Sequence, residues 1–248
     1  MSGNLLVVGA RAGSLGHYVA AIASERGWNV TTAGVSGEEK VHLDIADHAA
    51  VHALFREDAD LAQGWHSIVC TAGVNIEGGI TDDAIRGKLD QSLAVNAVGP
   101  LHLLHAWADW WMYNLDETFM LTDENSGNEI PAFPLHYVAI SSNSAQIARS
   151  SSLAYCTSKA ALSMGIRCAA RDMANTWLNI YGYEPGWLSG TPMSKEVNSR
   201  FEYGLPRHRI PGDRTVDPAA LAHMIVRNLA NWYSSLNGCM LRLDGGEQ

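Results

Sequence analysis

The sequence predicts an α/β domain in which a doubly wound parallel β-sheet is flanked by helices on both faces, three layers in all. Short apolar runs alternate with amphipathic helical stretches along the whole chain, the pattern that builds parallel sheets. Most runs end in glycine or small polar residues, so the strand ends should gather functional groups in one crevice. The length of 248 residues at 47% hydrophobic content is enough for one large core, and Gly and Pro are spread without a linker-like cluster. A single domain over residues 1–248 follows, with no internal repeat.

The first apolar run, N-L-L-V-V-G from Asn4, is too short for a core helix and reads as a buried strand. Gly9, Gly13 and Gly16 follow it and precede an amphipathic helix that stops near Gly27, and W-N-V-T-T-A supplies the second strand. Strand, glycine turn, helix and strand suit a pyrophosphate, which needs close backbone approach and the free N–H groups of a helix N-terminus. V-H-L-D-I at 41–45 and S-I-V-C-T-A-G at 67–73 are further strands, with a helix from about Asp47 to Ala62 between them. One long helix is expected through K-L-D-Q-S-L-A-V-N-A-V-G-P-L-H-L-L-H-A-W, and H-Y-V-A-I-S-S at 136–142 is a strand. Residues 155–177 carry helical periodicity, W-L-N-I-Y-G-Y-E-P-G is a sixth strand, 217–233 a helix beginning D-P, and C-M-L-R-L-D-G-G a last strand.

A net charge of −9 offers nucleic acid little to bind, so small molecules are the expected partners. The cysteines Cys70, Cys156, Cys168 and Cys239 lack metal-ligand spacing and read as reduced, buried, apolar side chains, with Cys156 of interest because it adjoins Tyr155. His102 and His105 read as packed or solvated helix histidines, and no metal site is expected. The early first strand leaves no room for a targeting peptide, and no apolar run reaches the roughly 18 residues of a membrane span. A cytoplasmic protein without membrane contact is the expectation.

In Y-C-T-S-K, Tyr155 and Lys159 stand at i and i+4, on one face of a helix. Taken alone such a pair is usually just a helix face, and the Ser pair after a strand is usually a turn or a cap. Together they fit reduction of a carbonyl. That reaction puts negative charge on oxygen and needs a proton donor within reach. A tyrosine at its reference pKa of about 10 is too weak an acid, and a neighbouring cation would lower that value. Ser142 would steady the developing charge by hydrogen bonding.

Ser142, Tyr155 thirteen residues later, Lys159, P-G at 185–186 and L-R-L-D-G-G at 241–246, in this order, resemble the short-chain dehydrogenase/reductase family over nearly the whole length. The resemblance implies a Rossmann-type fold, a nicotinamide cofactor, and hydride transfer between that cofactor and a small carbonyl or alcohol substrate. It implies Tyr155 as acid/base, Lys159 on the nicotinamide ribose, and Asn96 as a helix residue whose backbone helps hold a proton-relaying water. It implies cofactor contacts at Gly9, Arg11, Gly13, Leu15 and Gly16, at Asp44 and Ile45 beside adenine, and at Ala72 and Gly73, where Thr71 replaces the usual Asn. After the sixth strand it implies Pro185, Gly186, Leu188 and Thr191 near the carboxamide, with Ser189 as the alternative to Thr191. Gly245 and Gly246 are expected to shape a turn. Family habit implies a homotetramer or homodimer.

No acid occupies the end of the second strand, which falls on Gly34, Val35 and Ser36. Arg11 and Ser36 would then reach a 2′-phosphate, so NADP(H) is expected in preference to NAD(H), with Glu38 and Glu39 nearby as the opposing feature. The glycine loop is one residue longer than the family's usual spacing. The helix between the second strand and V-H-L-D is shortened or missing, which resembles dihydropteridine-reductase-like members and opens a pterin-like C=N reductase as an alternative. Residues 110–134 read as an insertion, a surface excursion or a lid, and 192–211, with Met193, Phe201 and Tyr203, as a substrate loop. A catalytically idle nucleotide-binding sensor or scaffold is the reading from another class.

Overall fold

Seven parallel strands run in the order β3-β2-β1-β4-β7-β8-β9 in a computed structural model of the chain, which describes residues 3–56, 64–114, 120–122, 127, 129–199, 215–231 and 235–247. The strands are β1 (Asn4–Val8), β2 (Asn29–Gly34), β3 (Val41–His42), β4 (Trp65–Cys70), β7 (Leu135–Ile140), β8 (Leu178–Pro185) and β9 (Met240–Leu243). β4 and β7 are buried at every residue, because central strands of a parallel sheet are covered on both faces and so need no polar alternation. β1 lies between β2 and β4, so the strand order reverses beside it, and that reversal opens a crevice at the carboxyl ends.

Helices α1 (Leu15–Glu25) and α7 (Pro218–Leu229) pack against each other on one face of the sheet, over Val7, Ile140, Tyr181 and Tyr183. Their starts are set by side-chain caps: Ser14 accepts from the His17 N–H, and Asp217 from the Ala219 N–H ahead of Pro218. Helices α2 (His48–Arg56), α3 (Ile85–Leu93), α4 (Gly99–Asn114) and α5 (Leu153–Asp172) cover the other face. Trp107 and Trp111 of α4 are fully buried there, and both indole N–H groups donate to the Trp65 carbonyl, at 2.8 and 3.1 Å. Each ring brings large apolar area and a satisfied polar edge to the start of β4.

Two departures from the sequence reading have local causes. The long helix expected through Asn96 is interrupted by a π-helical turn at Ala94–Val98, which shifts the helix by one residue beside the crevice. As the sequence leads one to expect, residues 35–40 between β2 and β3 hold no helix, and these parallel neighbours are joined by a tight loop through Gly37 at φ +81°. Residues 110–114 belong to α4, and the rest of the expected insertion contains a two-stranded antiparallel ribbon, β5 (Met120–Thr122) with β6 (Glu129–Pro131). Of the four cysteines only Cys70 is buried, while Cys168 and Cys239 are exposed because their positions face outward on α5 and just before β9; all four are free thiols. No helix of the described residues is long and apolar enough to cross a membrane.

Candidate active site

The carboxyl ends of the strands open into a cavity of about 1850 Å³, above the roughly 300–1,000 Å³ of common small-ligand pockets. At one end stands the glycine turn after β1. Gly9 has φ +90°, and a Cβ there would lie 2.6 Å from the Ala72 backbone nitrogen. A Cβ on Gly16 would meet the Thr71 Oγ1 at 2.5 Å and the Gly9 carbonyl at 2.6 Å. Glycine is therefore required at both for α1 to start so near the sheet. Thr71 donates to the Val8 and Gly9 carbonyls, both at 3.0 Å, and so ties β1 to β4.

The opposite end is built by β7 and α5. Ser142 leaves β7 and caps a single 3₁₀ turn, Asn143–Ala145, accepting from the Ser144 N–H at 3.1 Å. The loop that follows places α5 so that Tyr155 and Lys159 face Ser142 across the cavity wall, which all three line. Helix α5 is pinned to β7 by the Ser141 hydroxyl, which donates to the Lys159 carbonyl at 3.0 Å and accepts from Ser163 at 2.8 Å. The Lys159 ammonium, buried, donates to the Ile140 carbonyl at 3.0 Å and lies 5.9 Å from the Tyr155 ring centre.

Burial lowers the Lys159 pKa to about 8. It raises that of Tyr155 above the usual phenol value, with a hydrogen-bond interaction from Ser142 pulling the other way. The lowering expected from the sequence is thus not what the surroundings of Tyr155 give. Loss of hydration outweighs both the Ser142 hydrogen bond and the Arg149 charge that favour the phenolate.

Asn96 is fully buried behind this wall rather than in it. Its Oδ1 accepts from the Val74 N–H at 2.8 Å, and its Nδ2 donates to the Val74 carbonyl and the Ser158 hydroxyl, both at 2.9 Å. The π turn brings that side chain to α5 between Tyr155 and Lys159. Gly73 keeps the space open, since a Cβ there would lie 3.2 Å from the Asn96 Oδ1 and 3.3 Å from the Lys159 Nζ.

Of the remaining predicted cofactor residues, Gly9, Arg11, Leu15, Ser36, Asp44 and Ile45 line the cavity at the β1–β3 end. Ala72 and Gly73 do so centrally, and Pro185, Gly186, Leu188 and Thr191 beyond β8. Gly13, at φ +74°, and Gly16 shape the turn without lining the cavity. Asp44 also accepts from the Ala46 N–H at 3.0 Å, and Thr191 caps helix α6 (Pro192–Ser199), accepting from the Ser194 N–H at 3.3 Å. Ser189 lines the same wall. Phe201 and Tyr203 lie outside the described residues.

Sequence reasoning missed a cluster beside Ser142. Asn143 donates to Glu247 at 2.8 Å and to Asp244 at 3.3 Å, and Arg149 pairs with Glu247 at 2.8 Å while also binding Ser144 and Asn143. Gly245 and Gly246, both at positive φ, turn the chain back so that Glu247 is buried on this cluster. Arg149 and Asn143 hold its carboxyl below the usual range despite burial. The two glycines signalled the turn, but nothing local signalled a partner so distant in the chain.

A family model described as short chain dehydrogenase matches residues 4–202. Ligand-free aldohexose dehydrogenase of Thermoplasma acidophilum superposes with a TM-score of 0.80 at 22% identity, covering 99% of this chain and 93% of that one. A short-chain type dehydrogenase/reductase from Mycobacterium ulcerans gives 0.77 at 19% identity, covering 99% and 90%. NADP-bound ElxO gives 0.77 at 20% identity, covering 99% and 98%. At these identities the structural likeness is one of fold. No curated protein matches the sequence significantly.

Proposed function

The chain belongs to the short-chain dehydrogenase/reductase family of NAD(P)-dependent oxidoreductases, and from that premise we propose that it interconverts a small carbonyl compound and its alcohol, with Tyr155 as the proton donor and acceptor. The observation that carries this reading is the convergence of Ser142, Tyr155 and Lys159 on a cavity whose far end is the glycine turn after β1.

The turn fits a dinucleotide: its glycines clear the backbone, and the wall offers Ala72, Gly73 and the loop after β8 along the length such a molecule would span. The bound nicotinamide supplies or takes up a hydride. The protein's own groups do the rest. Ser142 offers a hydroxyl to the substrate oxygen, where negative charge grows during reduction. Burial keeps the Tyr155 phenol protonated but makes it a weaker acid, so donation to that oxygen relies on positive charge nearby to offset the burial. Lys159, held by the Ile140 carbonyl, keeps a positive charge in a dry wall near the phenol. Asn96 acts as a positioning residue, locking α5 to the segment after β4.

Whether the chain prefers NADP(H), as the sequence suggests, or NAD(H) turns on the groups around the adenosine ribose. A homodimer or homotetramer through the outer faces of α4 and α5 is supported by the exposed Met112, Tyr113 and Met164, and sedimentation as a monomer would remove it.

The test is oxidation of reduced dinucleotide across a panel of aldehydes, ketones and pterins. Carbonyl turnover that collapses in Tyr155→Phe is expected. Turnover of pterins alone would favour C=N reduction, which the missing helix between β2 and β3 supports as the second reading. Dinucleotide binding without turnover on the whole panel would favour a sensor.

A further inference from the structure

We propose that Glu39, seconded by Glu38, selects NAD(H) over NADP(H), an inference that rests on the dinucleotide site described above. The strand end where an acid would discriminate carries Gly34, which has no side chain to do so. The fold supplies a carboxylate from elsewhere. A Cβ on Gly34 would lie 2.6 Å from the Glu39 Oε1, so the Glu39 carboxylate covers the end of β2 where a side chain at position 34 would begin. It gets there because residues 35–40 form a tight loop instead of a helix, with Gly37 reversing the chain.

Both donors expected to hold a 2′-phosphate at Ser36 are already engaged. The Glu39 Oε2 accepts from the Ser36 hydroxyl at 2.7 Å and from its N–H at 3.2 Å. The Glu38 Oε2 accepts from the Ala12 N–H at 2.9 Å, which places a second carboxylate against the glycine turn. Among the described residues neither Glu38 nor Glu39 has an ion-pair partner. Lys40, the nearest cation in sequence, turns away to donate to the Val30 carbonyl. Arg11 shares this stretch of wall, one cation beside two carboxylates. A 2′-phosphate would have to displace Glu39 from Ser36 and meet net negative charge, whereas a ribose 2′-hydroxyl would donate to a carboxylate already in place.

Titration of the purified wild-type protein with NADH and with NADPH, followed by quenching of tryptophan fluorescence, tests this without turnover. Binding of NADH tighter than NADPH by about ten-fold or more is expected, since like charge at close range is costly. Glu38→Gln/Glu39→Gln, which keeps the acceptors and removes both charges, should bring the two affinities together or invert them. Circular dichroism of the variant confirms folding. NADPH bound as tightly as NADH by the wild type, or a ratio unmoved in the folded double variant, overturns the inference and leaves the dinucleotide site standing. Failure of the wild type to bind either dinucleotide overturns the site and the inference with it.

Discussion

The Lys159 ammonium donates to the Ile140 carbonyl at 3.0 Å and stands 5.9 Å from the centre of the Tyr155 ring. The charge is therefore anchored to the end of β7, beside the ring rather than hydrogen-bonded to it. The two residues share a helix face, as their spacing requires, yet burial governs each of them: the phenol is a weaker acid and the ammonium a stronger one than in water.

Replacing Tyr155 by Phe removes one oxygen from a wall that otherwise keeps its packing. Carbonyl turnover should fall about 10²- to 10⁴-fold, the usual contribution of a general acid, with reduced-dinucleotide binding retained. Steady-state rates beside fluorescence titration check this, and equal loss of both would mean that the ring serves binding rather than proton transfer.

Lys159 gives a pH-dependent stability with a definite sign. Its folded pKa of about 8 lies below the reference 10.5, so between those values the unfolded chain holds a proton that the folded chain has released. Stability from this group rises with pH across that window and is lowest, by a constant amount, beneath it. Lys159→Met should thus stabilise the ligand-free protein at pH 7 by on the order of 1–3 kcal/mol, with the gap to wild type shrinking as pH climbs toward the upper value. Urea unfolding of both proteins at pH 7 and pH 10 measures the gap, and a variant less stable than wild type at pH 7 contradicts the account. The same variant should lose carbonyl turnover.

Asn96→Ala strips three hydrogen bonds from a fully buried position and leaves the Val74 N–H and carbonyl without that partner. A loss of about 2–4 kcal/mol in urea unfolding is expected. A cost below about 1 kcal/mol would mean that the π turn can relax without it.

Gly9 and Gly37 separate two costs of adding a methyl group. Both have positive φ, +90° and +81°, but only Gly9 has a backbone atom in the way, with Ala72 N at 2.6 Å, whereas nothing lies within 4 Å of Gly37. Gly37→Ala should cost only the left-handed backbone penalty, about 1–2 kcal/mol. Gly9→Ala should cost clearly more and weaken dinucleotide binding. Equal midpoints in thermal unfolding would refute the close packing of the turn on β4.

Much of this architecture is legible in the sequence. The runs at Asn4–Val8, Trp65–Cys70 and Leu135–Ile140 are strands because they are short and mostly apolar, and Gly9 and Gly16 announce the close approach of helix to sheet. Ser142, Tyr155 and Lys159 could be proposed as one site from order and spacing, and all three line one cavity. The long helix through Asn96 was only half legible: its periodicity is helical, but a π turn leaves no mark in residue type, since the bonds of Asn96 to Val74 and Ser158 hold it.

Local chemistry written along the chain was enough to specify alternating strands and helices, the glycine turn and the i,i+4 pairing of Tyr155 with Lys159, because periodicity and backbone sterics act over a few residues. Packing in three dimensions alone set Glu39 over Gly34, Glu247 on Arg149 and the Lys159 ammonium on Ile140. Those contacts depend on where a loop folds back and how neighbouring strands register, and the free energy that chooses among such arrangements belongs to the whole core rather than to any one segment.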